Sequence, residues 1–147
     1  MIRFATLEDV PLILKFIKGI AAYEKLSHQV ETTEAKLTET LFGYKKYAEV
    51  ILAFDGDTAV GFALFFHNYS TFRAMPGMYL EDLFVEPEYR GKAFGKALLN
   101  EVITIAKNRH CGRVEWSVLD WNKPAIDFYK SMGAESMDEW STFRMTI

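Results

Sequence analysis

The chain is expected to be an α/β protein, a central mixed but mostly antiparallel twisted sheet with helices on both faces. Three observations predict it. Runs rich in β-branched and aromatic residues ("AEVILAF", "TAVGFALFFH", "MYLEDLFV", "RVEWSVL") alternate with runs whose apolar residues recur every three to four positions. Two of the strand-like runs are joined only by "DGD", which forces an antiparallel hairpin. Finally, 147 residues, half of them hydrophobic and a quarter charged, suffice for one core but not two, so residues 1–147 are expected to form a single domain.

Each element has a local reason. "IRFA" is a short opening strand, and "TLED" then offers helix caps at Thr6 and Asp9. Pro11 has no amide proton and suits the first turn after an Asp9 cap. Ile13, Phe16, Ile17, Ile20 and Ala21 follow as one apolar stripe. A second helix is expected from about Thr33 to Leu41, stopped at Gly43. After the hairpin, "NYSTFRAMPG" is expected to be a loop and "MYLEDLFV" a strand ended by Pro87. Ala97, Leu98, Val102, Ile105 and Ala106 mark an amphipathic helix that ends near "HCG". "RVEWSVL" reads as a strand, "DWNKP" as a loop, "PAIDFYKSM" as a short helix closed by Gly133, and "STFRMTI" as a last strand. There is no repeat, linker or low-complexity segment.

Composition excludes several function classes. No apolar run approaches the eighteen or so residues of a membrane span, and the acidic N-terminus does not resemble a signal peptide. The expected location is cytoplasmic, with no membrane partner. A single cysteine, Cys111, rules out an intrachain disulfide and a multi-cysteine zinc site. His28, His67 and His110 lack metal-ligand spacing, so no metal is expected. With a formal charge of -3 and one short basic stretch, a nucleic-acid partner is not expected.

That basic stretch is "YRGKAFGKAL". A strand, a glycine turn and a helix start place several backbone N–H groups at the positive end of a helix dipole, with Arg90, Lys92 and Lys96 around them. Such a turn suits a polyphosphate, although it matches neither the P-loop nor the dinucleotide fingerprint. Taken alone, solvated lysines on a glycine turn are an equally good reading.

The surrounding motifs shift the balance. "YRGKAFGKALL" resembles the Arg/Gln-x-x-Gly-x-Gly/Ala signature of the GNAT superfamily of acyl-CoA N-acyltransferases, and "NKPAIDFYKSMGA" resembles that superfamily's second signature at the proper distance downstream. With "AAYEKLSHQVETTEAKL" and "YLEDLFVEPEYRGKAFG", the resemblance covers nearly the whole chain and is closer still to the spermidine/spermine (diamine) acetyltransferases and their thialysine-acetylating relatives. It implies the GNAT fold, acetyl-CoA as co-substrate and a homodimer. The apolar "FFHNYSTF" and "WSTFRMTI" would suit a dimer contact.

The resemblance also implies roles. Arg90, Gly91, Lys92, Ala93, Phe94, Gly95 and Lys96 would grip the coenzyme pyrophosphate; Ala93 stands where the family has its first signature glycine. If that position is left-handed, the alanine costs roughly 1 kcal/mol. Leu83, Phe84 and Val85 would offer backbone groups to the pantetheine arm as an added half-strand. Asn122, Pro124 and Ala125 would make a second coenzyme contact, and a capping role for Asn122 is compatible with it.

An amine acceptor with a pKa near ~10.4 must lose a proton before it attacks, at a cost of about 4.6 kcal/mol at neutral pH. Glu81 resembles the family's substrate-side acid and is expected to be the base, directly or through water; Asp82, adjacent on the same strand, should point to the opposite face. Tyr129 matches the family's general acid for the departing thiolate. Tyr23 and Glu24 match its substrate-contacting pair. On "RVEWSVL", Arg113, Glu115 and Ser117 share one face and Trp116 the other, so Glu115, Trp116 and Ser117 are expected near the acceptor. An acidic channel of Glu24, Glu81 and Glu115 would favour a small di- or polyamine first and a thialysine-like amino acid second. A protein N-acetyltransferase and a non-catalytic acyl-CoA sensor remain alternatives at this level.

Overall fold

A computed structural model describes residues 1–147, which divide into two compact units, Met1–Trp116 and Ser117–Ile147. The first runs β1 (Ile2–Phe4), α1 (Val10–Tyr23), α2 (Glu34–Phe42), β2 (Glu49–Asp55), β3 (Thr58–Ser70), β4 (Met75–Val85), α3 (Phe94–Asn108) and β5 (Val114–Trp116). The sheet order is β1-β2-β3-β4-β5, antiparallel throughout except for the parallel β4–β5 pair. The expected mixed, mostly antiparallel sheet is therefore present. No helix is long and apolar enough to cross a membrane.

Local signals set most boundaries. Before α1, Asp9 accepts the Thr6 N–H at 2.7 Å and a two-pronged contact from Arg3 at 2.7 and 3.1 Å. The hydrogen bonds from Arg3 hold the Asp9 carboxyl below the usual range, so this buried acid stays charged and paired. At α2, Thr33 Oγ1 accepts the Lys36 N–H at 3.1 Å, and the helix stops at Gly43, where a Cβ would lie 2.3 Å from the Glu39 carbonyl. Asp55 and Thr58 pair across the hairpin, whose Gly56 has φ 59°.

Helices cover both faces. On one, Val10, Ile13 and Phe16 of α1 and Leu37 and Leu41 of α2 pack with Val50, Leu52, Phe62 and Phe84 of the sheet. On the other, α3 buries Leu98, Leu99, Val102, Ile105 and Ala106. Coverage on both sides explains why β2 reads as a continuous apolar run rather than an alternation.

Three expectations need correction. "NYSTFRAMPG" is not a loop, because β3 runs to Ser70 and β4 begins at Met75, leaving only a short turn. Pro76 and Gly77, which look like turn residues, lie inside the ladder; a Cβ at Gly77 would sit 2.1 Å from Asn68 Oδ1, so glycine is there for packing. "RVEWSVL" forms only the three-residue β5, and Ser117 lies outside it. "STFRMTI" forms no strand: its apolar residues alternate, but no neighbouring strand pairs with them and Phe143 is 94% exposed.

In the second unit, α4 spans Lys123–Ser131. Asn122 caps it, its Oδ1 accepting the Ala125 N–H at 3.4 Å, and Pro124 occupies the first turn. Gly133, at φ 92°, closes the helix.

Candidate active site

β4 does not run in register with β3 throughout. Leu64 pairs with Asp82 and Phe65 with Leu80, so Glu81 is an extra residue in a β-bulge. The bulge overturns the expectation that Glu81 and Asp82 point to opposite faces: both line one cavity of about 580 Å3, together with Glu24 at the end of α1 and residues of α2 and the loop before it. Glu81 is exposed and Asp82 partly buried. Burial, reinforced by the charges of Glu81 and Glu24, pushes the Asp82 carboxyl up to about 6. Burial also raises Glu24. An acid held near neutrality beside two other carboxylates is a proton acceptor suited to work at physiological pH.

Close packing brings these acids together. A Cβ on Gly19 of α1 would lie 2.7 Å from the Phe84 ring, so α1 approaches β4 closely enough for Glu24, five residues on, to join the bulge acids. Glu115 does not join them. It pairs with Arg113 at 3.0 Å, accepts from Asn68 Nδ2 at 3.3 Å and lies outside the cavity, so its charge is compensated elsewhere. Trp116 pairs with Leu80 at the end of β5. The cavity wall from α2, with Lys36 and Thr40, has no counterpart in the sequence reading; an i, i+4 pair of polar residues on a helix signals nothing by itself.

β5 pairs with β4 only over Met78–Leu80, which leaves the β4 edge from Glu81 onward without a strand partner on that side. The Glu86 N–H to Val60 carbonyl bond at 2.8 Å sets the hydrogen-bond phase. Phe62–Phe84 and Leu64–Asp82 are then the bonded pairs, and Leu83 and Val85 turn their backbone groups to the open edge. Phe84 therefore cannot offer its backbone as expected, and its ring is buried against Phe16. The Val85 carbonyl already accepts from Arg90 Nε at 2.9 Å.

The turn before α3 leaves backbone donors open at the helix start. Gly91 and Ala93 have φ 79° and 67°, and the first intrahelical bond is Ala97 N–H to the Ala93 carbonyl, so the N–H groups of Phe94, Gly95 and Lys96 have no partner within the helix. These open donors fit a pyrophosphate. The Arg90 side chain, by contrast, lies over the Tyr23 ring at 4.9 Å and the Phe84 ring at 5.6 Å. It ties the end of α1 to β4, which the sequence did not suggest. Lys92 lies over the Tyr89 ring at 5.3 Å.

Asn122, Pro124, Ala125 and Tyr129 belong to the second unit, all on or capping α4, with the Tyr129 ring 5.5 Å from Phe128. No group of histidine, cysteine or acidic side chains is arranged to hold a metal ion.

Comparison with known proteins identifies the family. Residues 19–134 match the model of the acetyltransferase (GNAT) family. The chain is 39% identical to a thialysine N-epsilon-acetyltransferase of Bos taurus, over 98% of this chain and 91% of the relative. It is 35% identical to an L-ornithine N5-acetyltransferase of Arabidopsis thaliana, over 99% and 83%. Among solved structures, an integron cassette protein from V. cholerae superposes with a TM-score of 0.82 at 28% identity, covering 99% of this chain and 91% of that one. Fold, turn and relatives agree: the chain belongs to the GNAT family of N-acetyltransferases.

Proposed function

We propose that the protein transfers the acetyl group of acetyl-CoA to the terminal amine of a lysine- or ornithine-like amino acid, with small diamines and polyamines as the second reading. The acid pair on the β4 bulge is the main support: it places Glu81 and a near-neutral Asp82 in a cavity beside the open edge of β4. The sequence alone ranks diamines first. The thialysine- and ornithine-acetylating relatives reverse that order, and the acidity of the cavity keeps the diamines in second place.

Acetyl-CoA supplies an activated acetyl group as a thioester. Leu83 and Val85 would hold its pantetheine arm along the β4 edge, and the open donors at the start of α3, with Gly91, Lys92 and Lys96, would hold its pyrophosphate. Asn122, Pro124 and Ala125 are proposed as the second contact. Glu81 and Asp82 take the ammonium proton. Tyr129 donates a proton to the departing sulfur. Tyr23 and Glu24 guide the acceptor. The family match spans residues of both units, which supports one functional domain over 1–147. Exposed Tyr69, Phe72, Trp140 and Phe143 support a homodimer, and a single cysteine suits the cytoplasm.

The test is a panel of amino acids, diamines and peptides incubated with acetyl-CoA, reading free thiol and product mass. Acetylation at the terminal nitrogen of a small amine is expected. Thiol release with peptides alone would refute the assignment, and binding without thiol release would make the protein a sensor.

A further inference from the structure

The cavity containing Glu24, Glu81 and Asp82 has a feature that a site for pure cations does not need. Lys36 lines it and is the only cationic residue that does. Its place is built into α2. As the third residue of that helix it donates its backbone N–H to the capping Thr33, and its Nζ donates to the Glu31 carbonyl at 3.0 Å. No carboxylate pairs with it. An ammonium has three donors, so two remain after the bond to Glu31. The start of α2 adds the positive end of a helix dipole, and Thr32 beside it lines the same cavity.

For a diamine or polyamine this ammonium is a repulsive element on an otherwise attractive surface, which is how specificity against a competing ligand is built. For an amino acid with a terminal amine it is a complement, because that molecule carries an α-carboxylate at the end opposite the reacting nitrogen. The bulge acids on β4 and the ammonium on α2 belong to different walls of one cavity of about 580 Å3, a size ordinary for small-molecule sites. We infer that Lys36 holds the α-carboxylate of an ω-amino acid while Glu81 and Asp82 receive its terminal amine. This one lysine then sets the preference for amino acids over diamines that differ from them by loss of the carboxylate. The inference rests on the acetyl transfer proposed above.

Matched pairs test it: ornithine against putrescine, and lysine against cadaverine, each with acetyl-CoA and the full chain. Lys36→Met should raise KM for both amino acids roughly five- to tenfold, the worth of a partly solvated charge-assisted contact, and lower the diamine KM as the repulsion is removed, with kcat unchanged. Lys36→Glu should turn the preference toward the diamines, and Lys36→Arg should restore amino-acid use. A thermal melt of each variant checks folding, and the arginine variant keeps the test open should the methionine variant unfold. Equal effects on both members of a pair, no effect on either, or acetylation of diamines alone by the parent would overturn the role of Lys36 and leave acetyl transfer to small amines standing. Failure of the parent to acetylate any of the four would remove the acetyl-transfer reading, and this inference with it.

Discussion

Asp82→Asn should make the protein more stable at neutral pH and less active. The folded-state pKa of Asp82 is about 6, against an ordinary 3.8, because burial and the charges of Glu81 and Glu24 oppose ionisation. Between those two values the folded chain holds a proton that the unfolded chain has released. Stability therefore falls as pH rises from about 4 to 6 and stays lowered above that range. A shift of roughly two units corresponds to about 3 kcal/mol. Part of this is retained as the cost of burying an amide without full partners, so a net gain of about 1–2 kcal/mol at pH 7.5 is expected for the asparagine variant. Thermal melts of parent and variant from pH 4 to 8 measure it, with a rise of roughly 2–8 °C at pH 7.5 that shrinks toward pH 4. The same variant should lose most of its kcat/KM, since one of the two proton-accepting groups is gone. Equal or lower stability at pH 7.5, or a difference that does not change with pH, would refute the account of Asp82 as an acid ionised against its surroundings.

Ala93→Gly should stabilise the protein by about 0.5–1 kcal/mol, because the left-handed strain at φ 67° exceeds the extra freedom glycine has when unfolded; Gly56→Ala, at φ 59° with nothing within 4 Å of an added Cβ, is the control of opposite sign. Two urea melts decide it, and an unchanged midpoint for both variants would remove the strain argument. Gly19→Ala should lower the melting temperature and raise the amine KM, since overpacking the Phe84 ring costs roughly 1–3 kcal/mol against about 1 gained in helix propensity; a higher melting temperature would show that α1 is free to shift. Tyr129→Phe should cut kcat at least about tenfold with little change in acetyl-CoA affinity by calorimetry, and a loss within about a factor of two would make Tyr129 a packing residue.

The turn before α3, the start of α2 near Thr33, the "DGD" hairpin and the Asn122 cap of α4 were all legible in the sequence, because each is decided by groups within a few residues of one another. Glycine, proline and capping side chains act on the backbone next to them, and apolar periodicity marks which face of a helix is buried. The acid site was legible only as a set of residue types. That Glu81 and Asp82 share a cavity depends on a bulge, and a bulge exists only in the pairing of β4 with β3. Phe84 loses its backbone groups to β3 through the same ladder. Glu115 is paired with Arg113 and hydrogen-bonded by Asn68, and the Asp82 carboxyl is pushed up first by burial and then by the charges of Glu81 and Glu24, the last placed by the approach of Gly19 to a ring sixty-five positions away. "STFRMTI" marks the same limit from the other side: alternation favours a strand, but a strand needs a partner, and pairing is settled by tertiary structure. Charge state, register and shared cavities are properties of neighbours in space, and chain order does not encode those neighbours one residue at a time.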